Sequence, residues 1–200
     1  DVSITCDIKH DYDEYPTWGI SVEDFQSGSF DKSKFNIANE QSDSQTTAES
    51  LYGSASNDYI VSRNGGGDSI YGDIHQNYQN DGNDILVGSN DTNSDSLYGG
   101  NGKDILVSGL GADALYGGAN MYIAILPGSS SAYEGEHIAG TNSFNFVSTE
   151  NGTRVTKVLH DIETVQFEDG IYTLDSTTGE MVLVKPTSSE YPLNIEASLT

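Results

Sequence analysis

Basic residues are scarce: eight Lys and Arg stand against thirty-one Asp and Glu, a formal charge of −23 over 200 residues. Nucleic acid and anionic membrane surfaces both require a basic patch, and too few cations are present to build one. Cysteine occurs once, as Cys6, so no internal disulfide can form, and this residue reads as a small apolar side chain on a strand. Long apolar runs are missing as well, and none approaches the length that spans a bilayer. Apolar residues make up 35%, thin for a conventional core, so something besides apolar burial must help hold the fold. Self-repulsion at this charge opposes compaction unless counter-ions bind, which makes cations the first partners to expect.

Signatures of catalysis are absent too. There is no G-x-S-x-G elbow and no H-E-x-x-H pair, and His10, His75, His137 and His160 are scattered without metal-ligand spacing. No catalytic residue is assigned, and the chain reads as a non-enzyme.

What is present is a nine-residue repeat. Gly99-Gly100-Asn101-Gly102-Lys103-Asp104-Ile105-Leu106-Val107 is followed at once by Ser108-Gly109-Leu110-Gly111-Ala112-Asp113-Ala114-Leu115-Tyr116. The same Asp-x-apolar-x core recurs at Asp58, Asp68, Asp84 and Asp95, and Glu49-Ser50-Leu51-Tyr52 is a degenerate start. Alternate copies fall into two classes. One ends in Val61, Val87 or Val107 and has a bulky residue after the acid (Tyr59, Ile85, Ile105). The other ends in Tyr52, Tyr71, Tyr98 or Tyr116 and has a small one (Ser50, Ser69, Ser96, Ala114). Two alternating environments imply that one coil takes two repeats, each giving one short strand, so that the strands stack into two parallel sheets. Side chains alternate faces along a strand, so Ile60, Ile70, Leu86, Leu97, Leu106 and Leu115 should share a narrow apolar seam.

The pattern resembles the G-G-x-G-x-D-x-U-x repeat of RTX proteins, through residues 49–124 and more loosely through 125–185. The resemblance implies an all-β chain: a parallel β-roll of calcium-binding nonapeptides with flanking β-strand segments capping it. The chemistry agrees with it. Glycine lets the loops turn carbonyl oxygens toward a common centre, the Asp adds a charged oxygen, and Ca²⁺ takes six to eight hard oxygen ligands. Loops of one class stack on one side, so Asp58, Asp84 and Asp104 should line one edge, and Asp68, Asp95 and Asp113 the other. With them the candidate ligand residues are Gly53, Gly66, Gly82, Gly99, Gly100, Gly102, Gly109 and Gly111, holding several Ca²⁺ ions, on the order of four complete sites.

The family resemblance further implies a secreted or cell-surface protein, an adhesin or toxin exported by a type I secretion apparatus under an uncleaved C-terminal signal. In such proteins the repeats stay unfolded at low calcium inside the cell and fold outside it. With the affinity of extracellular modules, ~0.1–1 mM, ~10 mM calcium adds ~1.4–2.7 kcal/mol per site. Four sites then give roughly 6–11 kcal/mol, comparable to the stability of a whole domain. The alternatives are a module that grips a host cell-surface ligand, and the non-catalytic C-terminal region of a secreted protease or lipase.

Four regions follow. Residues 1–48 form an N-terminal β segment, with weak alternation at Val2, Ile4, Cys6 and Ile8, then Trp18 and Phe25, and a polar linker. Asp11, Asp13 and Glu14 read as a solvated acidic turn. Residues 49–124 are the roll, interrupted by loops at Asp73–Asn80 and Ser89–Asn93 and expected to stop where Tyr122 replaces the next Asp. Residues 125–185 are a β cap with strands near Phe144–Phe146, Thr153–Leu159, Glu163–Phe167, Ile171–Leu174 and Met181–Val184 and an Asp169-Gly170 hairpin turn. Residues 186–200 are a tail carrying the secretion-signal end. The outer face of the Val-class sheet is too apolar to stay bare, so residues 1–48 or 125–185 should cover it, the C-terminal part first because it follows the roll directly.

Overall fold

A computed structural model describes residues 17, 20–42, 46–63, 65–73, 82–118, 120, 122–150 and 152–186. The readings made for Val2, Ile4, Cys6, Ile8, the Asp11–Glu14 turn, Trp18, most of the Asp73–Asn80 loop and the tail beyond Pro186 lie outside these residues.

The repeats coil as the two classes require. Tyr-class strands β2 (Ser50–Tyr52), β4 (Ser69–Tyr71), β6 (Ser96–Gly100) and β8 (Ala114–Gly118) pair in parallel in one sheet. Val-class strands β3 (Asp58–Val61), β5 (Ile85–Val87) and β7 (Ile105–Val107) do so in the other, flanked on the β3 side by β1 (Asn39–Ser42). Equivalent repeat positions face each other, as in Leu86↔Leu106 and Leu97↔Leu115. Between the sheets Ile60, Ile70, Leu86, Leu97, Leu106 and Leu115 are all fully buried in one cluster. At ~25 cal/mol per Å² this seam contributes on the order of 1.5–3 kcal/mol per side chain.

The parallel ladder does not stop at Tyr122. Strand β9 (Ile123–Ile125) extends the Val-class sheet in register, Ile105↔Ile123 and Val107↔Ile125. Loss of the acid changes the loop chemistry but leaves the apolar pattern that stacking needs. Beyond it, β10 (Glu134–Ile138), β11 (Ser143–Glu150) and β12 (Thr153–His160) form an antiparallel meander whose last strand joins the Tyr-class sheet beside β8. Strands β13 (Thr164–Phe167), β14 (Gly170–Asp175) and β15 (Glu180–Pro186) finish the Val-class sheet, with β13 parallel to β9 and the expected hairpin at Asp169-Gly170. The cap thus closes both sheets with strands that change from parallel to antiparallel, and Phe144, Phe146, Leu159, Val165 and Phe167 continue the seam.

Within its described residues 20–42 the N-terminal segment is helical as well as extended, where strands alone are expected. Ser21 and Asp24 make a reciprocal capping box, and Gly28 closes the helix in the left-handed region at φ 74°, so Val22–Ser27 is a short α-helix, α1. A 3₁₀ turn follows at Lys32–Phe35, and β1 is the one strand among the described residues of this segment. This segment, not the C-terminal one, covers the Val-class face: Val22, Phe25 and Phe35 pack on Tyr59, Val61, Ile85, Val87, Ile105 and Val107. Val87 is fully buried and Ile105 only 5% exposed. The phenol of Tyr59 donates to the Phe25 carbonyl, and Thr17 donates to Gln166 of β13 at 2.6 Å, fastening the segment at two heights. The C-terminal part cannot serve, because its strands extend the sheets sideways. On the opposite face Tyr52, Tyr71, Tyr98 and Tyr116 stack at 4.6–4.9 Å with planes within 7°, Tyr52 46% exposed, and His160 continues the stack.

Candidate metal centre

Each inner Asp stands at or just before the start of a strand, and in Asp68, Asp84, Asp95, Asp104 and Asp113 one carboxylate oxygen binds the coil before it. Along the first edge the backbone N–H of Asp58 donates to Asp84 Oδ1 and that of Asp84 to Asp104 Oδ1, both at 2.8 Å. Along the second, Asp68 N–H donates to Asp95 Oδ1 at 2.8 Å and Asp95 N–H to Asp113 Oδ1 at 2.9 Å, while Glu49 N–H reaches Asp68 Oδ1 at 2.7 Å. The six acids therefore form two columns of three, with Asp58, Asp84 and Asp104 on one side and Asp68, Asp95 and Asp113 on the other. All six are nearly fully buried.

The second oxygen separates the edges. On the first edge Asp84 Oδ2 and Asp104 Oδ2 are buried with no hydrogen-bond partner. A buried carboxylate oxygen left so costs several kcal/mol unless a cation or proton meets it. Glycine carbonyls gather at the same place. A methyl on Gly72 would lie 2.3 Å from Asp84 Oδ2 and 2.6 Å from the Gly99 carbonyl oxygen; one on Gly99 would lie 2.6 Å from Asp104 Oδ2 and 3.1 Å from that of Gly117. At Gly53 the neighbours are Asp58 Oδ2 at 2.8 Å and the Gly72 carbonyl at 1.9 Å. One arrangement, a carboxylate oxygen beside the carbonyl of the next coil, thus recurs three times in register. Gly102 shows why the loops need glycine: its φ is +114° and a side chain would strike the Gly82 carbonyl at 1.8 Å.

Among the described residues no three His, Cys, Asp or Glu side chains could hold a metal between them. A cation here must take most of its ligands from backbone carbonyls, which suits Ca²⁺ and its tolerance of irregular oxygen shells. Electrostatics points the same way. Burial, then the neighbouring carboxylates of Asp104, Asp58 and Asp73, pushes Asp84 up to about 8, and burial with Asp73 nearby pushes Asp104 to about 7. Ionising both without a counter-ion is costly.

On the second edge every such oxygen has a partner. Ser62 Oγ donates to Asp68 Oδ2 at 2.6 Å, Ser89 gives both N–H (2.7 Å) and Oγ (3.0 Å) to Asp95 Oδ2, and Ser108 Oγ donates to Asp113 Oδ2 at 2.5 Å. Burial raises Asp95 to about 6, less than its counterparts across the roll, because Ser89 opposes the shift. Gly66, Gly109 and Gly111 lie in these loops, while Gly53, Gly82, Gly99, Gly100 and Gly102 lie in the first.

The first column ends where the acid is lost. Where the next acid would stand, Tyr122 is fully buried with its ring against Gly117, and its hydroxyl donates to the Gly100 carbonyl at 2.7 Å. Sequence reasoning missed Gly72, the three serines and the partners from the cap. Gly72 was findable, since it follows Tyr71 as Gly99 follows Tyr98. So were Ser62 and Ser108, which stand directly after Val61 and Val107. Nothing in the repeat signals what β11 and β12 bring.

Comparison with protein families finds the model described as the RTX calcium-binding nonapeptide repeat (4 copies) at residues 90–120. Searches of curated proteins and of solved structures return no match. The matched span contains β6, β7 and β8 with the loops between them, where Asp104 and Asp113 sit. RTX nonapeptide repeats bind calcium, and this chain carries an RTX calcium-binding repeat region folded as a parallel β-roll.

Proposed function

We propose that the roll is a calcium-triggered folding module whose tightest ions lie along the first edge, between coils, held by Asp58, Asp84 and Asp104 with loop carbonyls at Gly72, Gly99 and Gly117. The observation that carries this reading is the pair of buried oxygens on Asp84 and Asp104 that no protein donor reaches. Calcium, when bound, supplies the positive charge that lets these carboxylates ionise inside the fold. The chain's own residues set the rest: glycines admit the carbonyls, and the Asp-to-Asp ladder passes each coil's position to the next.

This chemistry fits a protein exported unfolded by a type I apparatus and folded by millimolar calcium outside, as part of a large adhesin or toxin. The charge of −23 supports it, since a metal-free chain of this composition resists compaction. The module itself is assigned no catalysis; activity, or grip on a host ligand, belongs to other parts of the parent protein. Circular dichroism of the full chain tests the reading, in calcium-free buffer, with added calcium, and with magnesium. Millimolar calcium should restore strand signal and protease resistance, and magnesium should act poorly because it demands a small octahedral shell. Full strand content in calcium-free buffer at neutral pH would end it.

A further inference from the structure

The second edge ends on a lysine. Lys157, in β12, is fully buried, and its Nζ donates to the carbonyls of Gly109 at 2.8 Å and Gly111 at 2.7 Å. The same ammonium lies 3.3 Å from Glu150 Oε1 and 3.6 Å from Asp113 Oδ2. Glu150 is fixed in turn by the Gly111 N–H, which donates to its Oε2 at 2.7 Å.

These four oxygens, two loop carbonyls and two carboxylates, are the kind of donor set a hard cation takes. All but the Glu150 oxygen belong to the loop that stands nine residues after the Gly100–Asp104 loop, so Gly109, Gly111 and Asp113 occupy the repeat positions of Gly100, Gly102 and Asp104. The inner side of the loop is closed by the preceding coil: a methyl on Gly109 would lie 1.6 Å from the Ser89 carbonyl, and one on Gly111 2.1 Å from that of Asn93. Only the outer side remains, and Lys157 fills it.

We infer that Lys157 is a tethered cation standing in the terminal cation position of the second edge, which closes that loop to calcium and frees that end of the roll from needing it. The inference rests on the calcium reading of the repeats. A lysine on a strand needs no metal concentration to be present, whereas each ion along the first edge does. Its single charge offsets one of the two carboxylates beside it. Removing it leaves Asp113 and Glu150 together in a buried site, where a divalent ion is the available replacement.

The test counts bound calcium per full-length chain at saturation, by equilibrium dialysis and native mass spectrometry, for the unmodified protein, Lys157→Ala and Lys157→Met. Lys157→Ala opens the position and should gain one ion; Lys157→Met keeps it filled and should gain none. A third variant, Lys157→Ala with Glu150→Gln, should lose the gain. In the unmodified, calcium-loaded chain Lys157 should also be acylated at least about tenfold more slowly than the exposed Lys103, a reading that needs no variant to fold. Equal ion counts in Lys157→Ala and the unmodified chain, or acylation of Lys157 at the rate of Lys103, overturns the inference. Failure of the unmodified chain to take up any calcium would overturn the calcium reading itself, and is seen separately from either result.

Discussion

Along the first edge of the roll the second oxygens of Asp84 and Asp104 are left for a cation; along the second edge the corresponding oxygens of Asp68, Asp95 and Asp113 are each taken by a serine. The backbone ladder is the same on both sides, and so is the burial of the acids. The difference lies in the residue that follows the strand. Gly72 and Gly99 follow the tyrosines and leave the Asp84 and Asp104 oxygens open, whereas Ser62 and Ser108 follow the valines and cap theirs, with Ser89 doing so one position later. A hydrogen bond from a neutral hydroxyl contributes roughly 1 kcal/mol net, enough to satisfy the atom but too little to neutralise a charge. The second edge therefore needs an ion less than the first, where buried oxygens have no protein donor.

The comparison breaks most completely if the cap goes. Truncation after Asn120 removes Tyr122 and Lys157 together, exposing the seam and the open strands of β7 and β8. The fragment should aggregate, or bind calcium at least about tenfold more weakly than the full chain, as followed by light scattering and calcium titration. A truncated roll folding at unchanged calcium concentration would show that the ends contribute nothing to either edge.

Next comes a direct contest between the columns. Asp104→Ala should raise the calcium midpoint of folding about tenfold, equivalent to about 1.4 kcal/mol, while Asp95→Ala should raise it about threefold or less. Asp58→Ala should also fall short of Asp104→Ala. Asp58 opens its column, lines a cleft of about 300 Å³ with Glu40, Gln41, Tyr52 and Ser54, and already accepts the Ser54 N–H. Equal shifts at Asp104 and Asp95 would erase the asymmetry.

Acid should imitate calcium, and mostly on the first edge. In the ion-free fold Asp84 is raised from 3.8 to about 8 and Asp104 to about 7, against about 6 for Asp95. The folded state holds these protons more tightly than the unfolded one. Their stabilising contribution is complete below about pH 4, falls as pH rises, and is gone above about pH 8. Calcium-free protein taken from about pH 8.5 to 5.5 should gain strand signal, and calcium uptake near neutral pH should release protons, measurable in a weakly buffered titration. Asp84→Asn should flatten the pH dependence more than Asp95→Asn does.

The finest adjustment is Ser62→Gly, which gives the second edge the residue of the first. It should lose about 1 kcal/mol or less of calcium-free stability through the Asp68 contact, while strengthening calcium binding at the Asp68 loop. A titration showing stronger calcium dependence in the variant sharpens the contrast; unchanged binding would mean that the serines decide nothing.

Period and class are legible in the amino-acid sequence itself. The alternation of two repeat classes, as in Tyr59–Val61 and Ser69–Tyr71, implies two sheets, and the spacing of the six acids implies two columns, because a repeat writes its own geometry into the chain. The inequality of the columns is written there too, in Gly72 against Ser62, but a glycine-and-serine difference carries no signal until the partner atom is known. Of the two segments expected to cover the Val-class face, chain order favours the C-terminal one, whereas the capping box at Ser21 and the cluster of Phe25, Phe30 and Phe35 mark the N-terminal one as a helical lid. Lys157 could not be found by pattern, as its meaning depends on a loop 46 residues away.

The stacked tyrosines make the roll its own optical gauge. Tyr52, Tyr71, Tyr98 and Tyr116 contribute one ring per coil, held at 4.6–4.9 Å with nearly parallel planes, and His160 adds a fifth ring from the cap. Phenol transition dipoles so close and so aligned couple, and the resulting near-ultraviolet dichroism exists only between coils already in register. The share of the signal lost on removing a stacked ring should report on the coils in register. Removing one ring at a time, from Tyr52 toward Tyr116, would therefore read out, without any attached dye, which end of the roll assembles first as calcium is added.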